Sequence, residues 1–219
     1  MTRIGVLGGT FDPIHVGHLD VAEAAHRALQ LDQVLVMPAR TPPHRQPPSA
    51  SASHRFAMAA LAVAGRQGLL VSDLEMETDG PSYTAATLDR LVARGMEMAG
   101  LFFVTGADAF REIETWMHYP RILDRCHFVV VSRPGTPAPS LRVALPSLAD
   151  RMIDPPGIVS ARPGIFLIDA PTAPVSSTDV RRRVQEGASI DGLVPAAVAA
   201  HIATHGLYAG RREERTSEA

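Results

Sequence analysis

The run Gly8-Gly9-Thr10-Phe11-Asp12-Pro13-Ile14-His15-Val16-Gly17-His18 constrains the fold of this chain more than any other stretch. An apolar segment, Arg3 to Leu7, precedes it and suits a buried strand bounded by glycine. Beyond it, from near Gly17, the apolar residues Val21, Ala24, Ala25, Ala28 and Leu29 recur with helical spacing. Strand, glycine turn, helix is the order in which α/β proteins offer backbone N–H groups and the positive end of a helix to a phosphate. Glycine lets the main chain come close to an anion because no Cβ intervenes. His15 and His18 lie three apart at the helix entry, so their rings can share one side of the first turn and meet one ligand. Imidazole donates hydrogen bonds and near neutrality carries part of a positive charge, which suits a polyphosphate. The helix N-terminus opposes protonation of His18 and bound phosphate favours it; phosphate is expected to prevail in an occupied site.

Downstream, strand and helix patterns alternate. Gln33 to Met37 suits a second strand, and the loop Ala39 to Pro48 that follows holds four prolines, Arg40, His44 and Arg45. It reads as a solvated connector or as a substrate-phosphate loop, and its place beyond a strand's carboxyl end favours the second. Ser53 is expected to cap a helix to about Ala64 with Phe56, Ala60, Leu61 and Ala64 inward. Leu69 to Ser72 suits a third strand, and Gly80-Pro81-Ser82-Tyr83-Thr84 turns into a helix over 84–93, with Ser82 or Thr84 as its cap or as a ligand group. Leu101 to Thr105 is a buried-strand pattern whose exit, Gly106-Ala107-Asp108, places a carboxylate for a ribose hydroxyl. Phe110 and Ile113 then point inward. Trp116, the sole tryptophan, precedes Met117-His118-Tyr119-Pro120 and reads as core material or as a platform for a heterocycle. His127 to Ser132 suits another strand, left through Arg133-Pro134-Gly135. Residues 136–164 read as an irregular proline-rich insertion with a short helix within 141–152, and Ile165 to Ile168 returns to strand.

A second site pattern follows in Val175-Ser176-Ser177-Thr178-Asp179-Val180-Arg181, where Ser177 or Thr178 is expected to cap a helix favoured by Asp179. Hydroxyls and free N–H groups at one helix mouth, with a guanidinium a turn inside, form an anion site. The alternative is a well-capped helix with a solvated arginine face over 181–183. A closing helix, about Pro195 to His205, ends at Gly206; residues 1–209 are expected to form one domain and 210–219 a disordered tail.

Composition excludes several other readings. A net charge of −2 gives no basic field for nucleic acid or an anionic membrane surface. All 21 basic Lys/Arg-class residues are arginine, so any phosphate contact through a long cation uses a planar fork. The single Cys126 excludes an intrachain disulfide, suits a reducing compartment and reads as buried packing. No apolar run reaches membrane-spanning length and no secretory leader is recognisable at the start, so a soluble cytoplasmic protein is expected.

The two patterns together resemble the HxGH nucleotidyltransferase superfamily, in which a Gly-x-Phe-Asp-Pro turn leads into His-x-Gly-His and an ISSTxIR element lies opposite. Within it, Pro42-Pro43-His44-Arg45, Ser82-Tyr83-Thr84, Gly106-Ala107-Asp108, Trp116 and Arg133-Pro134-Gly135 resemble bacterial nicotinate-nucleotide adenylyltransferases up to Tyr208, with Arg45 in place of the usual lysine and Val175 in place of isoleucine. The resemblance implies a Rossmann-like, doubly wound, mainly parallel α/β sheet. It implies adenylyl transfer from ATP to the 5′-phosphate of nicotinate mononucleotide, giving deamido-NAD and pyrophosphate. His15, His18 and Arg181 would be catalytic. Gly8, Gly9, Thr10, Phe11, Gly106, Asp108, Ser176, Ser177 and Thr178 would bind ATP, and Arg45, Tyr83, Thr84, Trp116 and Arg133 the pyridine nucleotide. Mg²⁺ would arrive on ATP, without protein ligands. Rival readings are another phosphorylated acceptor, such as nicotinamide mononucleotide or pantetheine phosphate, and a catalytically silent nucleotide-sensing module. Self-association is left open.

Overall fold

The computed structural model describes residues 2–43, 46–77, 79–156 and 162–210. Seven strands, β1 (Ile4–Gly9), β2 (Gln33–Pro38), β3 (Leu69–Val71), β4 (Leu101–Gly106), β5 (His127–Val131), β6 (Met152–Ile153) and β7 (Ile165–Ile168), form one sheet in the order β3-β2-β1-β4-β5-β7-β6. Every pairing is parallel, from Ile4 opposite Gln33 and Leu101 to Met152 opposite Ile165. Seven α-helices accompany it among the described residues: α1 (Val16–Leu29), α2 (Ala52–Val63), α3 (Thr84–Ala93), α4 (Ala107–Phe110), α5 (Leu141–Ala144), α6 (Ser177–Gln185) and α7 (Ala196–Thr204).

Strand alternation builds two cores. Leu7, Val34, Val36, Phe102, Val104, Val129, Val131, Phe166 and Ile168 face α1, α2, α6 and α7; Val6, Leu35, Met37, Phe103, Phe128, Val130 and Leu167 face α3, α4 and α5. Both faces of the sheet are therefore dry, which is why its strands read as apolar runs and not as alternating ones. Each such side chain removed from water contributes roughly 1.5–3 kcal/mol before entropy is charged against it. The sheet order reverses between β1 and β4, and the crevice beyond their carboxyl ends, at Gly8-Gly9 and Gly106, is where an open α/β sheet binds its ligand.

Three expectations change. First, α2 is capped by Ser51, whose hydroxyl accepts from His54 N, not by Ser53. Its buried face is Arg55, Met58, Ala59, Ala62 and Val63, while Leu61 is exposed. A buried arginine at the head of that stripe shifts the apparent apolar face by one residue. Second, α6 is capped by Ser176, which accepts from Asp179 N at 3.1 Å, so Ser177 and Thr178 lie in its first turn. Third, the stretch expected to be irregular, 136–164, contributes β6 to the sheet edge and the buried residues Leu141, Leu145, Leu148 and Met152 to the core. Its prolines hide elements of two to six residues, too short for a periodic signal. Cys126 is fully buried, its thiol pushed up to about 12 by desolvation, as packing material requires.

Candidate active site

The glycine turn is a close approach of chain to side chain. A Cβ on Gly9 would stand 2.7 Å from the ring of Phe11, which is itself buried at φ 49°. Phe11 packs into the core and lies edge-on to His18, ring centroids 5.0 Å apart. His15 and His18 stack at 3.7 Å with 24° between their planes. His15 N donates to His18 Nδ1 at 3.2 Å, so in the neutral ring the His18 proton sits on Nε2. His15 behaves differently from the expectation of shared positive charge. Burial, then the neighbouring Arg133 guanidinium, lowers it to about 4, so it is a neutral imidazole at pH 7. Its Nδ1 is buried and has no hydrogen-bond partner among the described residues.

The second helix mouth closes onto this turn. Ser177 Oγ donates to Pro13 O at 2.9 Å, and Arg181 Nη1 donates to Asp12 O at 2.6 Å. Arg182 and Arg183 instead turn outward to Asp179, and Arg182 also to Glu186, so of the three consecutive arginines only Arg181 faces the groove. Those two cations hold the Asp179 carboxyl below its ordinary value through their hydrogen bonds. Arg133 braces both mouths, donating to Gly17 O at 3.0 Å and to Val175 O at 3.3 Å. This explains the glycine between the two histidines: a Cβ on Gly17 would stand 2.8 Å from Arg133 Nη1 and 3.0 Å from Ala173 O. Val16 N bonds Leu193 O, and Ala173 N bonds Asp20 Oδ2, completing the seam.

Arg133 was expected beside the pyridine ring. It lies instead against Gly106, where an added Cβ would meet its Cγ at 2.9 Å and also the Asp108 carboxylate, so Arg133 groups with Gly106 and the exposed Asp108. Trp116 is half-buried on the other face of the sheet, edge-on to Phe103 at 5.8 Å and 6.4 Å from Phe128. Phe103 in turn lies 3.6 Å from where a Gly8 Cβ would be, which links Trp116 to the glycine turn through one ring. Tyr83 is the N-cap of α3 and Thr84 its first residue. Ser82 Oγ accepts from Arg40 N and Ser82 N donates to Thr41 O, tying α3 to the loop after β2. Arg45 lies outside the described residues.

Beneath the turn lies a network that sequence reasoning missed. Arg55, 1% exposed, donates to the carbonyls of Thr10, Ala39, Arg40 and Ala50. Asp12 accepts from Ser49 N, Ala50 N and Tyr208 Oη. Burial, reinforced by that bond to Asp12, raises Tyr208 well above its ordinary value and keeps it a donor. A charge inside an apolar helix stripe was the available signal for Arg55; nothing local marks Tyr208. With its oxygens so occupied, Asp12 is a support for the turn and not an open metal ligand. Among the described residues the groove presents imidazole, hydroxyl, guanidinium and backbone N–H groups, a donor set for anions.

The fold and this donor set define a nucleotidyl-transferring protein of the α/β class, and residues 6–183 match the cytidylyltransferase-like family. A Roseiflexus sp. protein named "Probable nicotinate-nucleotide adenylyltransferase" is 44% identical over 94% of this chain and 97% of its own length. A Desulfatibacillum aliphaticivorans protein of the same name is 41% identical over 94% and 99%. The structure of Plasmodium falciparum nicotinic acid mononucleotide adenylyltransferase complexed with NaAD superposes with a TM-score of 0.73, covering 95% of this chain and 98% of that one at 17% identity. The chain belongs to the nicotinate-nucleotide adenylyltransferase family of the cytidylyltransferase-like proteins.

Proposed function

We propose that this protein transfers the adenylyl group of ATP to the 5′-phosphate of nicotinate mononucleotide, forming nicotinate adenine dinucleotide and releasing pyrophosphate. The observation that carries the reading is the bonding of Ser177 and Arg181 to the Pro13 and Asp12 carbonyls, which sets two anion-binding helix mouths on one groove. Family membership supports the choice of substrates.

The attacking phosphate oxygen is already a nucleophile, so the protein supplies position and charge rather than a base. That oxygen bonds to the α-phosphorus as the bond to the bridging oxygen breaks, and the electron pair leaves on pyrophosphate. His18, with Nδ1 committed to His15 N, directs its Nε2–H at the phosphates, where charge grows on the bridging oxygen. Neutral His15 holds that ring by stacking. Arg181, with Ser176 to Thr178, receives the leaving pyrophosphate, and Asp108 with Gly106 faces the adenosine. Mg²⁺ would arrive with ATP and would supply charge neutralisation on the phosphates, while the imidazole, hydroxyl and guanidinium donors of the groove would hold the anion itself. Tyr83, Thr84, Arg45 and Trp116 take the pyridine nucleotide, Trp116 stacking on its ring. Preference for the nicotinate carboxylate falls to the Trp116–Tyr119 turn and to Arg133, whose bonds to Gly17 O and Val175 O use two of its five N–H donors.

The deciding measurement is a pyrophosphate-release panel with ATP and Mg²⁺ against nicotinate mononucleotide, nicotinamide mononucleotide and pantetheine phosphate. Highest kcat/KM is expected with nicotinate mononucleotide. Turnover with pantetheine phosphate alone would reject the acceptor, and ATP binding without product in every arm would reject catalysis.

A further inference from the structure

Away from the groove, α2 packs on α7, and the imidazoles of His54, His201 and His205 meet at the contact. One nitrogen of each lies within 4.8 Å of the other two, and His54 Nδ1 stands 3.1 Å from His201 Nε2. Ring centroids are 4.4 Å apart for His201 and His205, 4.9 Å for His54 and His205, and 5.3 Å for His54 and His201. Two of the three come from one helix end at a spacing of four, which stacks them on a single face. The third crosses from α2. A hydrogen bond between two rings uses one proton and one lone pair and leaves the third converging nitrogen unserved. A borderline divalent cation uses all three lone pairs. Its bonds of about 2.0–2.1 Å place tetrahedral nitrogens about 3.3 Å apart, so a pair at the 4.8 Å limit needs to close by about 1.5 Å. His54 and His201 are half-buried and His205 is exposed, which leaves the fourth position to water.

We propose that His54, His201 and His205 form a zinc-class metal site that clamps α7 to α2. Imidazole suits zinc, nickel and copper ions, and hard cations such as Mg²⁺ are disfavoured by three nitrogen donors. The clamp has a structural target. His54 precedes Arg55, which holds the Thr10 carbonyl, and His205 lies three residues before Tyr208, which holds Asp12. A cation here fixes both supports of the phosphate-binding turn from behind, independently of any substrate.

The test uses tag-free full-length protein stripped with chelator. Zn²⁺ titration by calorimetry should give one equivalent, and Co²⁺ in its place should develop visible absorption of a nitrogen-ligated low-symmetry site. At a hundredfold excess over Kd, Zn²⁺ should raise Tm by roughly 5–10 °C. His201→Gln, His54→Asn and His205→Gln should each weaken binding at least tenfold and abolish the Tm rise, while His18→Asn retains both. Should one of the three variants fold poorly, the other two decide. Absence of stoichiometric Zn²⁺ binding, or binding that survives all three substitutions, overturns the proposal.

Discussion

The two histidines of the turn differ in what surrounds them, and that difference is measurable. His18 has its Nδ1 satisfied by His15 N; in the proposed reaction its Nε2–H is a donor whose worth grows as charge builds on the leaving oxygen. His18→Ala should therefore lower kcat on the order of 10²–10³-fold with a much smaller change in the acceptor KM. Trp116→Ala should do the reverse, raising the nicotinate mononucleotide KM with kcat nearly kept; steady-state kinetics of both variants checks the split. His15 is a pH probe. Its folded pKa, about 4, lies below the unfolded value of 6.5, so above pH 6.5 neither state binds the proton and it contributes nothing to pH dependence. Between pH 6.5 and 4 the unfolded chain takes up a proton the folded one refuses, and stability falls as pH falls, by about 3 kcal/mol over that window. Proton NMR of the ligand-free protein should show one histidine ring that does not titrate until pH approaches 4. A normal midpoint for every ring would contradict the burial argument.

At the scale of elements, the order of six of the seven strands was legible because each carries an apolar run, whereas the two-residue β6 carries no pattern long enough to read. The limits of α3 over 84–93 were legible as well, since a glycine-proline turn precedes it and Gly95 follows. The face of α2 was not, because burial of Arg55 depends on four carbonyls from two separate loops, a fact no periodicity carries. The same holds for the site: the HxGH and SST motifs announce themselves, but Asp12–Tyr208 is a pairing across 196 positions. These hidden supports are stability elements first. Arg55→Met should destabilise by about 3 kcal/mol or more, since it leaves several carbonyls unpaired in a dry site. Tyr208→Phe, which removes one hydrogen bond to a carboxylate, should cost about 1–2 kcal/mol. Urea unfolding measures both, and an Arg55→Met protein as stable as the parent would show that water replaces the guanidinium.

Across the whole molecule, the groove proposed to bind phosphate is a seam between two parts of the sheet, the β1–α1 unit and the segment that leaves β7 for α6. Arg133, from the end of β5, spans that seam with one guanidinium, and Gly17 is small because the brace passes over it. The brace and the imidazole beside it are electrostatically coupled, since the Arg133 charge is the second cause of the low His15 pKa, after burial. Arg133→Met tests this in the ligand-free protein. The His15 midpoint should rise in the variant yet stay below 6.5, because desolvation, the larger cause, remains. At the same time the Gly17 and Val175 carbonyls lose their donor, so amide hydrogen exchange should quicken in both 14–20 and 174–182, and kcat/KM for ATP should fall at least tenfold as the two mouths lose register. A purely local role for Arg133 predicts faster exchange on one side of the seam only. Two-sided loosening together with an upward-moving His15 is the signature of a strut that holds one polyphosphate site together from two ends of the chain.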